Sequence, residues 1–199
     1  MSACRSCGAA ELHPLLELGR LPLADRFPAC DAPSAEEPRF TLGLHLCRRC
    51  ALVQVGEDVD PGLLFGADYP YYSSYAESVL ENARRHARRL LEARRLHTGS
   101  RVVEVASNDG YLLRHFRDAG VPVLGIDPAA GPAAVAEAAG VPTRRAFFGH
   151  ALGRQIATEQ PADVLIGNNV LAHAADPNDF VAGVATALAG DGIATFEFP

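Results

Sequence analysis

The sequence predicts an α/β protein with a parallel sheet of about five strands and a small N-terminal module. From residue 101 onward, short buried strand patterns alternate with helical patterns of about ten residues. Residues 1–60 instead hold short apolar segments broken by Pro and Gly, without a long helical period. Strands that alternate with helices in this way form parallel sheets through right-handed crossovers.

The first long helix is predicted from Tyr75 to about Leu96, because apolar residues recur there at steps of three and four. The preceding residues 61–74 are predicted to form a loop rich in tyrosine. Later strands are predicted at 101–106, 121–127, 163–170 and 192–198, with an extended segment near 141–147. Helices are predicted between them at 110–119, 131–140, 149–159 and 178–189.

Composition excludes several classes of protein. The chain has 199 residues, of which 48% are hydrophobic and 21% charged, as in a globular protein with a substantial core. The net charge of −6 argues against a nucleic-acid or membrane-surface partner, because those partners require clustered positive charge. We find no apolar run of membrane-spanning length and no signal-peptide core in residues 1–10, so we expect a cytoplasmic protein.

Four of the five cysteines form two C-x-x-C pairs, Cys4 with Cys7 and Cys47 with Cys50. Two such pairs can close a tetrahedral Zn²⁺ site, and Gly8 permits the tight turn after the first pair. A redox role is less favoured, since neither pair begins a helix in a βαβ unit. Four protein ligands leave no open position on the metal, so we expect the zinc to be structural.

Acidic residues on two neighbouring strands favour a nucleoside with an amino group. Glu104 lies in the strand 101–106, which runs into the S-N-D-G turn 107–110, and Asp127 ends the next strand. Open α/β sheets bind ligands at such turns, where an acid can accept both ribose hydroxyls. A dinucleotide site would need G-x-G-x-x-G, and this turn has one glycine. Although either acid alone could be a turn or cap residue, the pair indicates S-adenosylmethionine (SAM) rather than NAD.

A histidine follows the fourth predicted strand of the sheet. His173 comes shortly after Asn168 and Asn169, which end that strand. A lone histidine is usually structural, but one at the mouth of a cleft can act as a general base near neutral pH. His173 is therefore a candidate for either role.

Together these segments resemble the sugar C-methyltransferases of deoxysugar biosynthesis, enzymes of secondary metabolism that methylate a nucleotide-bound keto sugar. The resemblance implies a zinc-binding N-terminal module and a Rossmann-like class I methyltransferase domain that binds SAM. It covers nearly the whole chain in the family's order. The matching segments are CRSCG (4–8), LGRLPLADRF (18–27), CRRC (47–50), YPYYSS (69–74), VEVASNDGYLL (103–113), GIDPAAG (125–131), NNVLAHAADPNDFVAG (168–183) and GIATFEFP (192–199).

The resemblance also implies roles for individual residues. His173 and a tyrosine of YPYYSS, Tyr71 or less directly Tyr69, match active-site positions. In the implied reaction a base removes a proton beside a ketone, and the resulting enolate carbon takes the methyl group. The residues implied at the cofactor are Glu104, Ala106, Asn108, Asp109, Gly110, Asp127, Pro128, Phe148 and Asn169.

The family that the chain resembles continues past residue 199 with a Tyr-x-Glu-His element and a nucleotide-sugar module. We therefore expect a sheet without its two closing strands, and an isolated chain that is inactive or partial and that needs a C-terminal partner chain or dimerises. Two alternatives stay open, namely a non-catalytic SAM- and zinc-binding module that works with a partner and a methyltransferase of another small secondary metabolite. The predicted division is a zinc-binding module at 1–60, a Tyr-rich loop and connecting helix at 61–98, and a truncated SAM-binding domain at 99–199.

Overall fold

A computed structural model describes residues 3–27, 30, 37–57, 59–66 and 69–198. Outside the described residues lie parts of the predicted zinc-binding module and of the predicted loop 61–74. Pro199, which ends the segment GIATFEFP, also lies outside them. The described residues form a three-stranded antiparallel sheet followed by a five-stranded parallel sheet. No helix among them is both long and apolar enough to cross a membrane.

The N-terminal sheet consists of β1 (Leu12–Pro22), β2 (Arg39–Cys47) and β3 (Val53–Val55), in that order. In its register Leu12 lies opposite Cys47, so the start of β1 adjoins the end of β2. Nearly every side chain of β1 is exposed, which leaves the sheet with little apolar core of its own. The sequence analysis predicted no strands here, because short segments without alternation carry a weak strand signal.

The segment predicted as a loop contains a short helix. Helix α1 (Pro61–Leu64) begins at Asp60, whose side chain accepts a hydrogen bond from the Gly62 N–H at 2.8 Å. A capping aspartate followed by proline is a standard helix start, and the expectation of a loop missed it. A single 3₁₀ turn follows at Ser73–Tyr75.

Helix α2 (Glu77–Arg94) is amphipathic, as predicted from its apolar spacing. It buries Ala83, Ala87 and Leu90 against the parallel sheet. Its arginines lie largely on the exposed side, where Arg84 and Arg88 pair with glutamates of the same helix.

The parallel sheet confirms the predicted fold class. Its strands have the order β6-β5-β4-β7-β8, and each neighbouring pair is parallel. The boundaries lie within a few residues of those predicted, and the largest difference is a last strand that starts at residue 188 rather than 192. The elements are β4 (Val102–Val105), α3 (Leu113–Asp118), β5 (Val123–Ile126), α4 (Ala130–Ala138), β6 (Thr143–Arg144), α5 (His150–Glu159), β7 (Ala162–Asn168), α6 (Pro177–Ala187) and β8 (Leu188–Glu197).

Two apolar clusters cover the two faces of this sheet. Val102 packs with α2, α3 and α4, whereas the adjacent Val103 packs with α5 and α6, because successive strand side chains point to opposite faces. The result is a helix–sheet–helix sandwich. Its strand order reverses direction between β4 and β7, and ligands of open α/β sheets bind at the carboxyl end of such a point.

Phe116 is the test residue for this core, because its side chain is fully buried beneath α2. Phe116→Ala should lower the free energy of unfolding by about 3–5 kcal/mol through lost contacts and the cavity left behind. Leu63→Ala is the control, since Leu63 is 52% exposed and should change stability by less than about 0.5 kcal/mol. Urea denaturation followed by circular dichroism measures both, and equal losses would contradict the packing described.

Candidate metal centre and ligand cavity

The four paired cysteines meet at one point in the N-terminal module. Their sulfur atoms all lie within 4.8 Å of one another. Cys4 Sγ is 3.6 Å from Cys50 Sγ, and Cys7 Sγ is 3.6 Å from Cys47 Sγ. Sulfurs about 2.3 Å from a tetrahedral Zn²⁺ lie about 3.8 Å apart, so the spacing fits one ion. The structure brings the four predicted ligands together, and no sulfur pair in the cluster is close enough for a disulfide.

The two metal-binding turns share one backbone geometry. The residue after each pair, Gly8 or Ala51, has a positive φ and donates its N–H to the carbonyl of the first cysteine at 2.9 Å. Glycine adopts this conformation freely, whereas alanine at Ala51 strains it. The sequence analysis identified the turn at Gly8 but had no glycine to identify the second.

A cation is needed to hold four thiolates together. Backbone hydrogen bonds, led by that from Cys7, lower the pKa of the Cys4 thiol to about 6. A backbone hydrogen bond from Leu52 also lowers the pKa of Cys50, but burial and the neighbouring sulfurs outweigh it and raise that pKa to about 12. Four neighbouring thiolates repel one another. A bound metal ion offsets this repulsion, because the charge of the ion deprotonates and holds the coordinated thiols.

The metal centre is attached to the parallel-sheet domain through Asn178. The Asn178 side-chain amide donates to the carbonyls of Arg5 and Ser6, at 3.2 and 2.8 Å, within the first cysteine turn. Asp176 fixes this end of α6 by accepting from the N–H groups of Asn178 and Asp179, both at 2.9 Å. The zinc-binding turn therefore lies against the start of α6, shortly after the segment that carries His173.

A cavity of about 870 Å³ opens at the carboxyl ends of the parallel strands. It is lined by the turns after β4, β5, β6 and β7, by described residues of the segment before α2, and by the first half of α2. The start of α6 and the end of β8 also contribute. The predicted site residues that line it are Tyr69, Tyr71, Ala106, Asn108, Asp127, Pro128, Phe148, Asn169 and His173. Glu104, Asp109 and Gly110 are buried and do not line it.

Asp127 connects two of the turns around the cavity. Its Oδ2 accepts from the Asn108 N–H at 2.8 Å, and its Oδ1 accepts from the Ala129 N–H at 2.9 Å. Burial raises the pKa of Asp127, as does nearby Asp109, while the two backbone hydrogen bonds lower it. Because a carboxylate has about four lone-pair positions, Asp127 can still accept hydrogen bonds from a ligand.

The S-N-D-G turn holds the tyrosine-rich segment in place, which the sequence analysis did not predict. Asn108 accepts from the Ser73 N–H at 2.8 Å through Oδ1 and donates to the Tyr71 carbonyl at 3.1 Å through Nδ2. Asp109 accepts from the Ser74 N–H at 3.1 Å. Asn108 has a φ of +49°, a left-handed conformation that asparagine tolerates better than most residues. This turn therefore fixes one wall of the cavity.

Glu104 lies below the cavity, in the middle of β4. It is 1% exposed, and its Oε2 has no hydrogen-bond partner among the described residues. Burial, with Asp127 and Asp109 nearby, raises the pKa of Glu104 well above its ordinary value. Burial therefore favours the neutral form of this side chain, which does not line the cavity.

His173 and the two candidate tyrosines lie in one aromatic group at the cavity. The Phe65 ring contacts Tyr69 and His173 edge-on, with ring centroids 5.4 and 5.8 Å apart, and Tyr69 lies 6.4 Å from Tyr71. The structure thus brings together the three residues proposed for catalysis, which the sequence places about 100 positions apart. Sequence reasoning missed Phe65, although this residue lies within the tyrosine-rich segment 61–74.

Other residues of the cavity wall were also missed by sequence reasoning. Tyr111 lines it from the turn that precedes α3, and Glu197 lines it from the end of β8. Ser78, Asn82 and His86 line it from α2, and their spacing of four residues was a readable signal.

Comparison with known proteins matches two family models. A family described as a zinc binding domain matches residues 4–65, and one described as a methyltransferase domain matches residues 75–199. The C-methyltransferase NovU of Streptomyces niveus is 36% identical over 197 residues. The match covers 98% of this chain and 47% of NovU, so the chain spans about half the length of this relative.

Solved structures of methyltransferases are more distant. SAM-bound CalS10 of Micromonospora echinaspora, an amino pentose methyltransferase involved in calicheamicin biosynthesis, is 20% identical, with a TM-score of 0.47 over 60% of this chain and 50% of that chain. A SAM-dependent methyltransferase of Thiobacillus denitrificans in complex with S-adenosyl-L-homocysteine is 22% identical, with a TM-score of 0.44 over 65% of this chain and 51% of that chain.

Zinc binding is tested by Cys47→Ser, which removes one of four ligands. We expect the zinc content to fall from one ion per chain to nearly none, because three remaining ligands bind structural zinc poorly. Hydrogen exchange should rise in β2 and around Asn178, since the metal-binding turn is attached there. Metal analysis and exchange mass spectrometry measure these changes.

The matched control is Cys30→Ser, because Cys30 is exposed and lies outside the four-sulfur cluster. It should keep its zinc and its exchange pattern. Full zinc retention in Cys47→Ser would refute the ligand assignment.

Proposed function

This chain belongs to the methyltransferase domain family, and from that premise we propose that it is a SAM-dependent C-methyltransferase acting on a nucleotide-linked keto-deoxysugar. The observation that carries the proposal is a single cavity lined both by Asp127, at the end of β5, and by His173, beyond β7. The first position suits a nucleoside cofactor and the second a reacting substrate. The relative NovU, a C-methyltransferase, supports transfer to carbon.

The chemistry of the cavity fits SAM. Four carboxylates, those of Asp127, Asp176, Asp179 and Glu197, line it, and no arginine or lysine does so among the described residues. Such a wall favours a ligand with cationic groups over a pyrophosphate. Asp127 would accept the ribose hydroxyls, with Pro128 and Phe148 beside the adenosine. The cavity volume of about 870 Å³ lies toward the upper end of the range of about 300–1,000 Å³ that is usual for ligand pockets. This volume leaves room for a second ligand beside SAM.

The proposed reaction joins the cofactor's methyl group to a carbon beside a ketone. Bound SAM supplies a methyl group on a positively charged sulfur. His173 accepts the proton from the substrate carbon, and the electron pair of the broken C–H bond moves into the enolate. The enolate carbon would then form the new C–C bond with the methyl group, and the electron pair of the broken C–S bond would leave with the sulfur as a neutral thioether.

Two tyrosines would stabilise the charge that develops on the substrate oxygen. Burial raises the pKa of Tyr69, and Asp25, Asp127 and Tyr71 raise it further. The Tyr69 hydroxyl therefore stays protonated at neutral pH and can donate a hydrogen bond to an enolate oxygen. Tyr71, which is 49% exposed, is the second candidate donor.

Cofactor binding is tested by Asp127→Ala. SAM and S-adenosylhomocysteine should bind at least about tenfold more weakly, because a hydrogen bond to a charged group contributes about 1.5–3 kcal/mol. Asp191→Ala is the control, since its carboxylate is exposed and distant from the cavity. Calorimetry gives the affinities, and thermal melting shows whether each variant is folded. Unchanged SAM affinity in a folded Asp127→Ala protein would remove Asp127 from the cofactor site.

Catalysis is tested by His173→Gln. Loss of a general base should lower the rate of methyl transfer by about 10²–10⁴-fold while SAM affinity stays within about twofold. The assay follows labelled methyl transfer to a thymidine-diphosphate-linked keto-deoxyhexose. It is run with the chain alone and with the chain fused to the part of NovU that the match leaves uncovered. His150→Gln is the control, because His150 is exposed and outside the cavity. Equal rates in both variants would contradict the role of His173.

A further inference from the structure

We propose that one edge of α2, formed by Ser78, Asn82 and His86, makes with Glu197 a binding subsite for the hydroxyl groups of a neutral ring. The proposal deepens the proposed function, on which it rests, by assigning the acceptor's ring to a wall of the cavity. All four residues line that cavity.

The helix itself places these side chains together. Residues four apart on a helix lie on one face, so Ser78, Asn82 and His86 form a continuous polar edge. This edge borders the apolar face that carries Ala83, whereas Arg84 points to the opposite, exposed side and pairs with Glu81. Polar side chains that line a cavity beside an apolar face indicate contact with a ligand rather than with bulk water alone.

His86 has an unused hydrogen-bonding atom at this wall. Its Nε2 is enclosed and has no hydrogen-bond partner among the described residues. Burial lowers the pKa of His86, more than the nearby Glu197 raises it. The neutral ring has one donor and one acceptor nitrogen, as recognition of a hydroxyl group requires. Buried polar atoms are normally paired, and a small rotation of the His86 ring toward the cavity that it lines would let Nε2 pair with a ligand hydroxyl.

The subsite lies on the opposite half of the sheet from Asp127. Glu197 ends β8, where it is in register with Asn168 of β7, and it interacts electrostatically with His86. Asp127 follows β5, on the other side of β4. Three strand spacings of about 4.8 Å separate β5 from β8, or about 14 Å. One ribose cannot contact both ends, so a ribose held by Asp127 leaves the α2 edge for another group.

The functional groups of the subsite select an uncharged ligand. A hydroxyl, an amide, a neutral imidazole and the Glu197 carboxylate can together accept from and donate to several ring hydroxyls. No arginine or lysine among the described residues lines the cavity, so a phosphate group would meet carboxylates without an arginine or lysine to pair with. We therefore expect the ring of the acceptor to bind here and its diphosphate to lie outside this wall.

The test combines two removals and one rescue. His86→Leu and Asn82→Ala each remove one hydrogen-bonding group, while His86→Gln keeps a polar nitrogen near the same position. Arg84→Gln is the matched control on the opposite, exposed side of α2, outside the cavity. The probes are quinovose, which is a free neutral deoxyhexose, the thymidine-diphosphate-linked keto-deoxyhexose, and S-adenosylhomocysteine. NMR follows the ligand resonances during each titration and, in the proteins that keep His86, the His86 ring resonances as well. Thermal melting verifies folding.

We expect quinovose to shift the His86 resonances of the wild type. Both removals should weaken the binding of the two sugars by about three- to tenfold, with His86→Gln closer to the wild type and Arg84→Gln unchanged. S-adenosylhomocysteine affinity should stay constant throughout. Asn82 is exposed, so its variant tests the proposal even if His86→Leu does not fold.

Three results would overturn the proposal: no response of His86 to either sugar, sugar affinities that the removals leave unchanged, or a loss confined to S-adenosylhomocysteine. The last result would assign the α2 edge to the cofactor. If the sugars bind as expected but no methyl group is transferred, the subsite stands and the proposed reaction fails.

Discussion

The cavity depends on the two hydrogen bonds that the Asp127 carboxylate accepts from the backbone N–H groups of Asn108 and Ala129. These bonds join the turn after β4 to the turn after β5, at the edge where an open α/β sheet binds its ligands. Charge-assisted hydrogen bonds to backbone N–H groups are stronger than neutral ones, so one side chain fixes both turns. The same carboxylate faces the cavity, which makes it a structural connection as well as a candidate ligand contact.

The tyrosine wall follows from that connection. With its backbone held by Asp127, Asn108 can use both its side-chain oxygen and nitrogen on the backbone of Ser73 and Tyr71. The segment before α2 is thereby fixed over the sheet, and Phe65 and Tyr69 lie against His173. Residues of the S-N-D-G turn therefore shape the site through the backbone of another segment, in addition to any contact with a cofactor.

The cysteine cluster is connected to the element that borders the same cavity. Its four cysteines do not line the cavity, and four ligands leave the metal no position for a substrate. Asn178 nevertheless attaches the first cysteine turn to the start of α6, and the 3₁₀ turn that carries His173 ends five residues before Asn178. Because β1 buries little apolar surface, metal binding supplies stability that packing does not provide in this module.

The sequence by itself determined the α/β class, the two cysteine pairs that the fold brings together and the family resemblance. Strand and helix periods are local properties, and paired cysteines carry their chemistry in their spacing. Tertiary structure decided which polar residues share the cavity: it placed Glu104 beneath the floor, where burial raises its pKa, and turned the Asn108 side chain toward the tyrosine segment. It also brought His86 of α2 near Glu197 of β8, residues 111 positions apart in the chain. Such proximity depends on how helices pack over the sheet, and burial then sets the protonation of each group.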